Sequence, residues 1–95
     1  MNLQTSEAIL YRLHTEDRDN LLSIVDRHVQ GATLLTGVGL WEGTAEPAAI
    51  IEIIGVPSDL ANIRLLAEDI RQTNAQQMVI LTQHPVLRQD IIGEV

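Results

Sequence analysis

The sequence predicts an α+β domain laid out in the order βαββαβ. Three observations point to it. Residues 8–14, 32–41 and 77–82 read as strands, the first by clear alternation of Ile9, Tyr11 and Leu13 against Leu10, Arg12 and His14. Residues 48–54 are apolar almost without a break, as in a strand buried on both faces. Two stretches between the strands, carrying Leu21 to Val29 and Leu60 to Ile70, repeat apolar residues at helical spacing. Strands and helices in that order build a ferredoxin-like sandwich, with two helices on one face of a four-stranded antiparallel sheet.

Each element has local signals at its ends. Thr15 is the expected N-cap of the first helix, with Glu16, Asp17 and Asp19 in a first turn that complements the helix dipole. Gly31 is its expected stop. After the second strand, residues 43–47 (Gly, Thr, Ala, Glu, Pro) are expected to form the turn into the third strand. Pro57, Ser58 and Asp59 open the second helix with Ser58 as N-cap. Leu60, Ile63, Leu66, Ala67 and Ile70 form its buried stripe, while Asn62, Arg64, Glu68, Asp69 and Arg71 face water. Asn74 stops that helix, and Pro85 ends the fourth strand before a short tail. No repeat, low-complexity tract or linker interrupts residues 1–95, which read as a single domain.

Composition excludes several function classes. Apolar residues make up 45% of the chain and aromatic residues only 2%, so Ile, Leu, Val and Ala must fill the core. All six basic residues are Arg, against thirteen acidic ones, for a formal net charge of -7. Such a balance disfavours nucleic acid and anionic membrane surfaces as partners. Without Lys there is no Schiff-base chemistry, and without Cys no thiolate nucleophile, disulfide or sulfur metal site. No apolar run approaches the ~20 residues of a membrane span, and the polar residues 1–7 do not form a signal peptide. The expectation is a cytoplasmic protein.

The third and fourth strands place apolar residues on both faces. A sheet face left apolar and uncovered is expected to pack against other copies, so a homo-oligomer is predicted, a trimer with its sheets facing inward being preferred.

Few residues suggest chemistry. Gly37, Gly39 and Gly43 flank Trp41 where the second strand enters its turn. They relieve strain at a strand end or let a ligand approach bare backbone. No helix follows to receive a pyrophosphate, so they are not a dinucleotide fingerprint. Trp41 is a packing residue or a stacking platform for a flat ring; Tyr11 is a core or interface residue. Glu52, a carboxylate amid Ile50, Ile51, Ile53 and Ile54, must be paired, with Arg12 as the expected partner, or else carries a raised pKa suited to acid/base work or a cationic ligand. Glu42 and Glu46 read as solvated turn charges. His14, His28 and His84 make no metal motif; only His14 and His84 could converge, at a sheet edge. Ser6, Ser23 and Ser58 suggest no catalytic triad.

The run from Gly31 through Thr33 and Thr36 to Gly37 and Gly39 resembles the corresponding run of the PII-like superfamily. That resemblance implies a trimer of ferredoxin-like subunits that binds adenine nucleotides or other small effectors in clefts between subunits. By it, Thr33, Thr36, Gly37 and Gly39 line the cleft and a protein partner responds to the bound ligand. The residues read by themselves add Trp41 and Glu52 as ligand-binding candidates, and no cofactor is expected. The long effector-presenting loop of that superfamily is here a hairpin around residues 43–46, and its phosphate-holding basic residues have no match. A nucleoside or a cationic adenosyl compound therefore suits this chain better than ATP. Phage-type S-adenosylmethionine lyases are also similar. Trp41 and Glu52 look like their aromatic and glutamate positions, although Trp lacks the hydroxyl; on that resemblance Glu52 is the catalytic residue, orienting substrate for an intramolecular attack. A plain oligomerisation module without a small ligand is the third class.

Overall fold

The computed structural model describes residues 7–94; the reading of the polar start and of Ser6, and the last residue of the tail, lie outside them. The elements follow the predicted order: β1 (Ile9–Glu16), α1 (Leu21–Asp26), β2 (Thr33–Trp41), β3 (Thr44–Gly55), a 3-10 turn (Pro57–Asp59), α2 (Leu60–Thr73) and β4 (Ile80–Pro85). The four strands form one antiparallel sheet in the order β2-β3-β1-β4, the ferredoxin-like arrangement. No helix among the described residues is long and apolar enough to cross a membrane.

Alternation along the strands sorts side chains onto two faces. Tyr11, Leu13 and Thr15 of β1 stand opposite Ile53, Ile51 and Ala49 of β3 and point towards the helices. Ile63, Leu66 and Ile70 of α2, with Leu21 and Ile24 of α1, close over them and are all 1% exposed or less. Among the described residues no layer covers the other face. There Leu35, Ile54 and Ile80 are 46%, 63% and 51% exposed, with Leu10 and Ile50 half-buried.

Five local expectations are corrected. Thr15 does not cap α1 but belongs to β1, where its hydroxyl and the Gln76 amide engage each other at 2.8–2.9 Å. The helix starts only after Asn20 and ends at Asp26, well before Gly31. Just beyond its end His28 is tied to α2: its ring meets Asp69 at 2.7 Å and its carbonyl accepts from Asn62 at 2.7 Å. Val29 still packs against the core, which is why its spacing looked helical.

The turn between β2 and β3 is Glu42–Gly43, not residues 43–47. Both residues have positive φ, 48° and 81°, the primed geometry that matches strand twist. Pairing therefore runs to Trp41 opposite Thr44 and takes Glu46 and Pro47 into β3. Because β1 stops opposite Ala48, the end of β2 and the start of β3 form a two-stranded ribbon that projects past the end of β1.

Ser58 caps nothing; the Asp59 carboxylate accepts from the Val56 amide at 2.8 Å. A Cβ on Gly55 would collide with that carboxylate. Finally, β4 begins at Ile80 rather than Gln77, because Ala75 at φ 52° and the anchored Gln76 hold residues 75–79 in an irregular turn.

Candidate functional site

A cleft of ≈ 320 Å³ lies on the uncovered face between the ribbon, the end of β1 and the α2–β4 turn. That size lies at the lower end of the range for small-molecule sites. Gly39, Trp41 and Glu46 line it from the ribbon, His14, Glu16 and Arg18 from β1 and its end, and Gln77, Met78 and Ile80 from the other side.

Each wall has a local cause. Gln76, 7% exposed, fixes the α2–β4 turn by engaging Thr15 and by accepting from the Glu16 amide at 3.2 Å. The ribbon's base is tied down where the Asp17 amide donates to the Pro47 carbonyl at 3.2 Å. On the cleft face of β2 the positions before Trp41 are Gly37 and Gly39, facing Ala48 and Glu46, so nearly bare backbone lines the ribbon there. Trp41 itself is 49% exposed and supplies the flat ring. Glu16 is ion-paired with Arg18, the one arginine among the described lining residues, so the cleft holds two carboxylates against one guanidinium.

The residues singled out in the sequence divide into three groups. Gly39 and Trp41 line the cleft, and Gly37 lies on the same face next to it. Thr33 and Glu52 face each other at the opposite end of β2, about 27 Å from Trp41 along an eight-residue span. Glu52 does find Arg12, Nε to Oε2 at 2.7 Å. Thr36, three positions from Thr33, points to the helix side opposite Ala49. One chain therefore does not bring all six together.

Other polar groups are engaged elsewhere. The chain's one tyrosine, Tyr11, donates its hydroxyl to the Val56 carbonyl at 2.6 Å; burial, with the Asp59 charge second, pushes its pKa up. His14 stands opposite Ile80 and His84 opposite Leu10, four residues apart along β1 and about 13 Å distant, so they do not converge. No group of three His, Asp or Glu residues able to hold a metal ion occurs among the described residues.

Sequence reasoning missed His14, Glu16, Arg18, Gln77 and Met78 as cleft residues. The available signal was register: once β1 and β3 are paired, Glu16 must lie opposite Ala48, level with Gly37.

No protein-family model and no curated protein matches the sequence. Among solved structures, the crystal structure of a DUF3240 family protein from Shewanella baltica has the same fold, with a TM-score of 0.69 and 13% sequence identity over 94% of this chain and 100% of that one. At that identity the likeness shows the fold alone.

Proposed function

We propose that this chain is a small-molecule-binding regulatory protein of PII-like type, which works as a trimer and holds an adenosyl compound or adenine nucleotide in the cleft beside Trp41. The observation that carries the reading is the placement of bare glycine backbone and an indole ring on one wall of a cleft of ligand size. A purine stacks on the indole, and the glycine amides approach it without side chains between. Glu16 and Glu46 favour a cationic ligand over a polyphosphate, since Arg18 is already paired. The apolar open face supports assembly of several copies, and a partner protein reads the liganded state.

The lyase reading has less support. It requires Glu52 near an aromatic hydroxyl, yet Glu52 is held by Arg12 and the Tyr11 hydroxyl is given to Val56 on the other side of the sheet.

Titration of the purified chain with S-adenosylmethionine, and separately with adenine nucleotides, tests the proposal through Trp41 fluorescence, with mass analysis of the recovered ligand. The expected result is a saturable fluorescence change with ligand recovered intact. Gly39→Val should weaken it by roughly tenfold or more, since a Cβ there already meets Ala48 at 3.2 Å and a branched side chain fills the cleft. Conversion of S-adenosylmethionine that Glu52→Gln abolishes would establish the lyase instead, and no response to any of these compounds would sink both ligand readings.

A further inference from the structure

The two carboxylates of the cleft are in different conditions. Glu16 is neutralised by Arg18. Glu46 makes no ion pair or side-chain hydrogen bond among the described residues. It is half-buried on the ribbon wall, so water screens its charge on only part of its surface.

The surroundings of Glu46 are apolar. It stands opposite Gly39, and Trp41 stands opposite Thr44, two positions further along the same face. Glu46 and Trp41 are therefore diagonal neighbours, about 7–8 Å apart by sheet geometry. Gly39 has no side chain to fill the space between them. Met78 and Ile80, both about half-exposed, line the cleft from the other side. One gap is thus bordered by an indole, two apolar side chains and a single unneutralised carboxylate.

That border selects among cations. The net charge of -7 attracts any of them, but a primary ammonium is strongly hydrated and a metal ion needs several oxygens to replace its water. One carboxylate does not replace that hydration, and apolar walls do not help. A methylated onium behaves differently. Its charge is spread over methyl groups that donate no conventional hydrogen bonds, so it gains from apolar contact and from the face of an indole. One carboxylate beside it then supplies the balancing charge. Arg18 does not oppose it, being already paired.

We propose that Trp41 and Glu46 form a binding site for a methylated onium cation, a sulfonium or a quaternary ammonium, and discriminate against the uncharged group of the same shape. This inference rests on the reading of the cleft as a ligand site and assigns the chemistry of the ligand's charged group.

Two matched pairs of probes test it by ligand-observed NMR titration of the full chain. Choline is compared with neohexyl alcohol, which has carbon in place of the nitrogen, and S-adenosylmethionine with S-adenosylhomocysteine, which lacks the methyl group and the charge. Each onium is expected to bind roughly tenfold or more tighter than its neutral partner. The choline methyl resonance should move upfield on binding, from the ring current of Trp41, and Trp41→Leu should abolish that shift. Glu46→Gln should cut the preference by roughly fivefold or more and leave the neutral probes unaffected. Glu42→Gln removes the same charge from the exposed turn beside the cleft and should change nothing.

Equal affinities within both pairs overturn the inference. So does a preference that survives Glu46→Gln, or one that Glu42→Gln lowers equally, since either would reduce it to general attraction of cations. If the two adenosyl compounds bind alike and choline does not bind, the inference fails while the ligand-binding reading stands. If choline alone is discriminated from its partner and no adenosyl compound binds, the onium site stands and the adenosine part of that reading fails. Absence of binding by all four probes sinks both.

Discussion

The two faces of the sheet are built from the same strands and end in opposite conditions. On one, Tyr11, Leu13 and Ile51 meet Leu66 and Ile70 and lose contact with water altogether. On the other, Leu35, Ile54 and Ile80 are as apolar and stay about half-exposed or more. Alternation sends every second side chain of β1 and β3 outward, and both helices lie on the same side. The charged Arg12–Glu52 pair crosses the open face between these apolar residues. The covered face accounts for the stability of a single chain, and the open face leaves apolar area that no described element of that chain covers.

The largest expected effect sets the two apart. Leu66→Ala removes a side chain that is wholly inaccessible and should cost about 2–5 kcal/mol. Leu35→Ser, at 46% exposure, should cost less than about 1 kcal/mol in a dilute monomer while weakening assembly. Urea unfolding at concentrations where the mass is monomeric measures both. Similar losses there would mean that the open face contributes to the fold of the single chain, and the contrast would collapse.

Arg12→Ala sharpens the same comparison. Arg12 and Glu52 side chains are 40% and 23% exposed, and a pair in that setting is worth about 0.2–1 kcal/mol, less in salt. If assembly covers the face, the same truncation leaves a buried carboxylate unpaired, and the cost rises to about 3–5 kcal/mol. Unfolding the variant and wild type at low and high protein concentration distinguishes the cases. A loss that does not grow with concentration would show that Glu52 remains in water.

Much of this architecture was legible in the residues. The unbroken apolar run announced β3, the Ile63, Leu66, Ile70 spacing announced the buried stripe of α2, and a glutamate among isoleucines announced its arginine. Parity could also have separated Thr33 from Thr36, since an odd spacing in a strand reverses the face. The tight turn was concealed because Glu42 is a poor residue type for positive φ, whereas Pro47 advertised a turn where there is a strand. The cleft was beyond local reasoning, because it depends on the contact between Thr15 and Gln76, 61 residues apart.

The smallest expected effect is a dependence on pH confined to the helix layer. The Asp69 carboxylate accepts from the His28 ring at 2.7 Å, from Thr73 at 3.0 Å and from Arg27 at 3.3 Å. Its hydrogen bond from His28, then that from Thr73, hold its pKa below the ordinary carboxylate value against some desolvation. Glu68 is lowered in the same direction, first by its hydrogen bond from Arg71. A carboxyl whose folded pKa is depressed binds its proton more readily in the unfolded chain, so stability is fully present above the unfolded value, about 3.9 for Asp. It is lost as pH falls through the folded value. Asp69→Asn should therefore be less stable than the wild type at neutral pH, with the difference closing in acid, as read from urea midpoints across a pH series. Because Asp69 ties α1 to α2 and touches neither the open face nor the strand edges, that difference should be the same at every protein concentration. A difference that grew with concentration would instead couple the helix layer to assembly, and the two faces would no longer be independent.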